Sequence, residues 1–114
     1  MKVVINHCYG GFGISKEAER ILVEKLGQDG FDYMERHNPI FVSLVEEMGE
    51  AASADFAKLG VEEIPDGLDY DVDEYDGYES LSEYISVTEE ELRNGLSEEK
   101  LRLLRYTNSI KVWK

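Results

Sequence analysis

The spacing of apolar residues predicts one strand and two helices in the first half of the chain. Residues 2–6, with the β-branched run Val3–Ile5, predict a short strand that is buried on both faces, as in the middle of a sheet. Apolar residues three and four positions apart then predict a helix that Ser15 caps and Gly27 ends. A second amphipathic helix is predicted to begin at Asn38-Pro39 and to continue past Gly49, where the glycine would allow close packing.

In the second half, the pattern changes to the two-residue period of β-strands. Residues 59–64 predict a second strand. In residues 68–73 apolar residues alternate with aspartates, which predicts a half-buried strand with its carboxylates outward. Asp76-Gly77 is a strong signal for a two-residue hairpin turn. Residues 78–85 are then predicted to form the returning strand, although their apolar residues also fit one helical turn.

Two short helices and a last strand are predicted at the C-terminal end. Thr88 begins a capping-box sequence for the first helix. Ser97 caps the second helix, in which Leu101 and Leu104 are expected to face inward. Residues 110–113 are expected to form an edge strand.

The length of 114 residues fits one domain. We expect a compact α+β fold, with a small α/β core in residues 1–85 and a helical appendix in residues 86–114 that includes the edge strand. The core is expected to hold a sheet of three to five strands and two main helices. The single cysteine excludes a disulfide framework, and no apolar run approaches the roughly 20 residues that span a bilayer. The N-terminal apolar run is too short for a signal peptide, so we expect a cytoplasmic location.

The net charge of −13 is concentrated in one segment. Between Glu62 and Glu91, which we call the acidic segment, there are 13 acids and no lysine or arginine. The rest of the chain carries 12 acids and 12 bases. Nonspecific nucleic-acid binding needs a basic surface, so we expect no direct binding to DNA or RNA. A surface of one sign steers association with the opposite sign, which favours a basic protein as partner.

The glycine turn, residues 9–13, lies between the first strand and the first helix. Backbone N–H groups and the helix dipole together favour an anion at such a turn. The spacing excludes a P-loop and also the dinucleotide fingerprint, because Lys16 stands where that fingerprint needs its third glycine. The alternatives are a purely structural turn and a loop for a phosphate-bearing small molecule. The candidate ligand-binding residues are Tyr9, Gly10, Gly11, Phe12, Gly13, Ser15 and Arg36.

Carboxylates along the predicted hairpin form a second candidate site. Seven are expected to point outward and to bind a basic partner: Asp69, Asp71, Asp73, Glu74, Asp76, Glu79 and Glu83. An EF-hand that started at Asp69 would need glycine at its sixth position and glutamate at its twelfth, where this chain has Glu74 and Ser80. The same pattern also fits a solvated strand face, which hinders edge-to-edge aggregation, or weak binding of a divalent cation. We predict no metal site.

Cys8 is the only thiol, and an enzyme that used it would need a base within hydrogen-bond reach. His7 is its neighbour on a strand and therefore points to the opposite face. His37 is remote in sequence. We therefore interpret Cys8 as a buried, unreactive residue and predict neither a catalytic residue nor a cofactor.

Several short motifs lie within roughly residues 1–85: Met1–Asn6, Cys8–Gly13 with Ser15, Arg36 with Asn38-Pro39, Val45–Glu50, Glu63–Asp66, and Glu74–Gly77 with Glu79. These motifs resemble those of a family of small uncharacterised proteins found widely in bacteriophages and prophages. The resemblance implies a viral or mobile-element setting and no established activity. The tail after Ile85 departs from the short basic-aromatic ending of that family.

Charge and resemblance together favour a non-enzymatic phage or prophage accessory protein in the host cytoplasm. Its acidic segment would bind a basic host or defence protein, in the manner of a DNA-mimicking anti-CRISPR protein. The alternative is a protein that binds a nucleotide or another phosphate ligand at the glycine turn. A third hypothesis is an enzyme that uses Cys8.

Overall fold

The computed structural model describes all 114 residues and shows a small α+β protein, which confirms the predicted fold class. Four α-helices, one 3₁₀ helix and five strands follow one another in the chain. They are β1 (Lys2–Asn6), α1 (Lys16–Asp32), α2 (Pro39–Met48), the 3₁₀ helix (Gly49–Ala52), β2 (Leu59–Glu63), β3 (Asp69–Tyr75), β4 (Tyr78–Thr88), α3 (Glu89–Asn94), α4 (Glu98–Leu103) and β5 (Ile110–Trp113).

The strands form two sheets, where the sequence predicted one. Strands β1 and β2 pair antiparallel in a two-stranded sheet, and β3, β4 and β5 form a second sheet in that order. Strand β1 is therefore an outer strand rather than the central strand that its apolar run predicted. Its residues Val3 to Asn6 are nevertheless completely buried, as predicted.

The chain divides into two compact units. The first unit contains residues 1–63 and 72–80, and the second contains residues 64–71 and 81–114. The β3–β4 hairpin thus contributes its tip to the first unit and its base to the second. Residues 86–114 all belong to the second unit.

The core of the first unit lies between β1, β2 and the two long helices. Val4 and Leu59 of the strands pack there with Leu22 of α1 and with Phe41 and Val45 of α2. The three-to-four-residue spacing that predicted the helices therefore corresponds to their buried faces. Apolar burial of this kind contributes about 25 cal/mol per Å² to folding, which makes this core the main stabilising element of the unit.

The helix starts agree with the predicted caps. Ser15, Asn38, Thr88 and Ser97 each accept a backbone N–H of the first helical turn through a side-chain oxygen. Thr88 also forms the reciprocal capping box with Glu91. The four predicted caps are therefore confirmed. A cap is predictable from the sequence because it involves only residues two or three positions apart.

Gly27 and Gly49, the two glycines within the predicted helices, differ in the structure that follows them. Gly27 has non-helical backbone angles, with a φ of 78°, so the first helical stretch of α1 ends there as predicted, and a second stretch follows across a kink and continues to Asp32. Phe31, in this second stretch, packs against the core. Gly49 ends α2 with a φ of 60°, and the chain continues as a 3₁₀ helix rather than as the longer α-helix that was predicted.

The second unit contains β5, which pairs parallel with β4 in the register Ile85 to Ile110. Residues 78–85 belong to a strand, as favoured over a helical turn. In α4 the buried residue is Leu103, whereas Leu101 is exposed, so the predicted inward face of this helix was wrong. Leu103 packs next to Gly67, a contact across 36 positions that the spacing within α4 does not reveal. No helix of the protein has the length and apolar character that crossing a membrane requires.

Candidate functional site

The glycine turn is packed against the protein's own backbone. A Cβ on Gly10 would lie 1.9 Å from the carbonyl oxygen of Phe56, and one on Gly13 would lie 2.6 Å from the Phe56 ring. Gly77 of the hairpin tip, residues 75–78, approaches from another direction, since its Cβ would lie 2.3 Å from the carbonyl oxygen of Tyr9. Within the turn, only Gly11 has open space around the position of a Cβ. Gly10 and Gly13 are therefore required for the close approach of the chain to itself, which supports the interpretation of a structural turn.

Asn6 holds this arrangement together from inside. Its side chain is completely buried, and its Nδ2 donates to the carbonyl oxygens of Cys8 at 2.6 Å and Gly77 at 2.8 Å. Its Oδ1 accepts the backbone N–H of Lys58 at 2.8 Å. One amide thus joins the end of β1, the hairpin tip and the segment before β2. This role was not predicted, although a polar residue that ends an apolar run was a visible signal in the sequence.

Arg36 and Glu79 form a buried ion pair. Arg36 Nη1 and Nη2 lie 2.7 and 2.9 Å from the two carboxylate oxygens of Glu79, so the pair is bidentate. The guanidinium also stacks on the ring of Phe12, 3.6 Å from its centroid. Two predictions were therefore wrong. Arg36 is not available to an anionic ligand, and Glu79, only 5% exposed, does not point outward for a partner.

The same pair closes the free edge of β1. Arg36 accepts the backbone N–H of Val4 through its carbonyl oxygen at 2.8 Å and donates from Nη1 to the Val4 carbonyl oxygen at 3.3 Å. Glu79 Oε1 accepts the backbone N–H of Asn6 at 2.8 Å. An unpaired strand edge would otherwise present its buried polar groups without partners, which is costly. The ion pair therefore takes the place of a neighbouring strand.

Ser15, a further candidate ligand residue, lies beside a cavity that has no excess of positive charge. Ser15 is committed to capping α1 and also donates to the carbonyl oxygen of Ala51. A cavity of about 530 Å³ adjoins it, and the charged residues in its lining are Lys16, Glu19 and Asp55. One cation and two acids do not favour a phosphate group in this cavity.

Cys8 is partly buried and borders a second cavity of about 400 Å³, whose charged lining residues are Glu50, Asp55 and Lys58. Both histidine rings contact carboxylates: His7 Nε2 lies 3.2 Å from Glu62, and His37 Nε2 lies 2.8 Å from Glu35. The Cys8 thiol makes no hydrogen bond to either ring, whereas a base for the thiol would have to be within hydrogen-bond reach. No group of three or more His, Cys, Asp or Glu side chains is arranged to hold a metal ion.

In the second unit, part of the acidic segment is neutralised by the basic C-terminal residues. Lys111 pairs with Asp71 at 2.5 Å and lies over the ring of Tyr84 at 4.0 Å. Lys100 pairs with Glu91, and its hydrogen bonds are the main cause of a lowered pKa at that carboxyl group. The carboxylate of Asp71 is therefore already occupied by a cation of the chain.

The remaining candidate carboxylates differ in their exposure. In the second unit, Asp69 accepts a hydrogen bond from Ser86 Oγ at 2.5 Å and remains exposed, whereas Glu83 is half-buried. In the first unit, Asp73, Glu74 and Asp76 are exposed near the hairpin tip, as predicted.

Tyrosines accompany these exposed acids in the first unit. Tyr9 and Tyr75 are 67% and 74% exposed, and Tyr78 is 38% exposed. The rings of Tyr9 and Tyr78 lie 5.3 Å apart between centroids, and the ring of His7 lies 6.0 Å from that of Tyr78. The hairpin tip and the glycine turn together therefore present an aromatic and acidic surface.

Comparison of the chain with protein-family models, with curated proteins and with solved structures finds no match. The resemblance to the phage family thus stays a prediction based on its short motifs.

Proposed function

We propose that this chain is a non-enzymatic phage or prophage accessory protein that binds a basic host or defence protein. The observation that carries this proposal is the segregation of charge: all of the net negative charge lies between Glu62 and Glu91. Such a segment attracts a cationic surface and repels nucleic acid. An inhibitor that imitates the phosphate charge of DNA, such as a DNA-mimicking anti-CRISPR protein, would have this character.

The exposure of the carboxylates supports the proposal. Asp73 and Asp76 are exposed near the hairpin tip, and Glu89 and Glu90 are exposed at the start of α3. Exposed carboxylates retain their hydration and attract cations over about one Debye length, roughly 8–10 Å at physiological salt. Binding through them would be fast and sensitive to salt.

The alternative of a phosphate ligand at the glycine turn has less support. The turn is filled by Phe56 and Gly77, and Arg36 already has a carboxylate partner. The hypothesis that Cys8 is a nucleophile also has less support, because the thiol makes no hydrogen bond to either histidine, which a nucleophile activated by a base requires.

The test is capture of partners by the immobilised protein from bacterial lysate, at low and at moderate salt, with mass spectrometry of what is retained. Two variants remove exposed acids, D73N/D76N at the hairpin and E89Q/E90Q in α3. The matched control is E24Q/D29N, which removes two exposed acids of α1.

We expect the wild type and the control to retain a protein with a basic surface, and at least one acid variant to lose it. The proposal is contradicted if no basic protein is retained at either salt concentration. It is also contradicted if both acid variants retain the same protein as strongly as the wild type.

A further inference from the structure

The surface around the hairpin tip has the composition of a binding site for a cationic side chain. We call it the tyrosine–carboxylate patch and define it by Tyr9, Tyr75, Asp76 and Tyr78, all of which are exposed. The tyrosine rings provide π-faces that attract a cation, and the carboxylate of Asp76 provides its counter-charge. Tyrosine is also among the residues that most often dominate binding energy at protein interfaces.

The patch is held in place by contacts beneath it. The turn residues Asp76 and Gly77 have φ values of 50° and 92°, which is the conformation of a tight hairpin turn. Gly77 lies against the backbone of Tyr9 and Gly11, and its carbonyl oxygen accepts a hydrogen bond from Asn6. Tyr9 and Tyr78 are thus presented by a packed backbone, which lowers the entropic cost of binding.

The protein itself contains two cations in surroundings of this kind. Arg36 stacks on Phe12 while it pairs with Glu79 in the first unit. Lys111 lies over Tyr84 while it pairs with Asp71 in the second unit. The patch offers the same residue types, the adjacent rings of Tyr9 and Tyr78 and, two positions before Tyr78, the exposed carboxylate of Asp76. No lysine or arginine of the chain lies over the ring of Tyr9 or pairs with Asp76.

We propose that the patch binds an arginine side chain of the basic partner, with the guanidinium stacked on Tyr9 and Tyr78 and paired with Asp76. This inference rests on the proposed function, because it names the residue type through which the partner docks. Arginine is favoured over lysine because its planar guanidinium stacks on an aromatic ring and pairs with a carboxylate at the same time. A second copy of the chain is not the expected occupant, since each copy carries a net charge of −13.

The probes for the test are a fluorescent nona-arginine peptide and a nona-lysine peptide of equal charge. Their dissociation constants are measured by fluorescence anisotropy with the full chain at low salt. The variant Y9L/Y78L removes the aromatic faces without a change in charge. The control Y33L/Y106L removes two exposed tyrosines outside the patch. Circular dichroism verifies that each variant is folded.

We expect the wild type and the control to bind nona-arginine about two- to fivefold more tightly than nona-lysine, which is the range of an exposed cation–π contact. In Y9L/Y78L this preference falls to about one. In D76N both peptides bind more weakly.

Three other outcomes overturn the inference. If Y9L/Y78L keeps the full arginine preference, the patch is not the docking site, while the proposed function stands. If neither peptide binds the wild type at low salt, the proposed function itself is contradicted as well. If sedimentation shows a dimer that Y9L/Y78L abolishes, the occupant is a second copy.

Discussion

Removal of the negative charge at Glu79 is the most direct test of the structure. In E79Q the amide keeps the shape of the side chain and one oxygen for the N–H of Asn6. It leaves the guanidinium of Arg36 without its counter-charge, at a position where that side chain is only 24% exposed. Arg36 Nη1, which donates to the carbonyl oxygen of Val4 at the free edge of β1, is then no longer held there by the ion pair.

The expected loss follows from the geometry. Breaking a buried ion pair by removal of one partner costs about 3–5 kcal/mol. Arg36 keeps some contact with water, which places the expected value at the lower end, about 3 kcal/mol. A domain of this size is stable by about 5–15 kcal/mol, so the loss is a large fraction of the total. It corresponds to a decrease in melting temperature of roughly 10–15 °C.

The assay is urea unfolding followed by far-UV circular dichroism, with the fluorescence of Trp113 as a second probe for two-state behaviour. The matched control is E17Q, which makes the same chemical change at an exposed carboxylate that pairs with Arg20 on α1. An exposed pair contributes about 0–1 kcal/mol, so E17Q is expected to have little effect.

A double variant separates the loss of the pair from the loss of one partner. In R36M/E79L both charges are absent, so no unpaired buried charge remains, and the cost is expected to be smaller than the sum of R36M and E79L. The reasoning is refuted if E79Q loses no more stability than E17Q. It is also refuted if the double variant is simply additive.

Three further predictions concern single positions. In G77A the free energy of unfolding, measured with urea, is expected to fall by about 2 kcal/mol or more, because the new Cβ would contact the backbone of the glycine turn. In G11A, which has a similar positive φ but open space, it should fall by only about 1 kcal/mol. Equal losses would contradict the proposed contact. In N6A the free energy of unfolding is expected to fall by about 3 kcal/mol in the same assay, because buried backbone groups lose their hydrogen-bond partners. A loss below about 1 kcal/mol would contradict this role of Asn6. K100Q is expected to raise the lowered pKa of Glu91 towards its ordinary value in an NMR titration. In the wild type, this pair stabilises the fold above the ordinary pKa of a glutamate, and its contribution is lost as the pH falls through the lowered pKa; an unchanged pKa in K100Q would contradict the assignment.

The candidate sites were predictable only in part. The exposed acids near the hairpin tip follow from a period-two pattern, which places alternate residues on one face of a strand. Glu79 continues the run of acids in the sequence, yet it is buried, because Arg36 lies 43 positions away in the chain and beside it in space. No spacing rule connects two residues at that separation.

The role of the glycine turn also depends on residues that are far away in the sequence. Its glycines were correctly identified as positions where something approaches the backbone closely. Whether the approaching group is a ligand or the chain itself depends on where Phe56 and Gly77 lie. Both belong to segments far along the chain, so the sequence could only leave the two alternatives open.

By itself, the sequence determined the features that depend on near neighbours. These are the helix caps, the Asp76-Gly77 turn, the buried character of β1 and the placement of the net charge. Each of them arises from residues within a few positions, where backbone geometry allows few arrangements. Only the tertiary structure decided the division into two sheets, the closure of the β1 edge by Arg36 and Glu79, and the burial of Leu103 in place of Leu101. These features depend on which distant segments pack together, and that is a property of the whole chain.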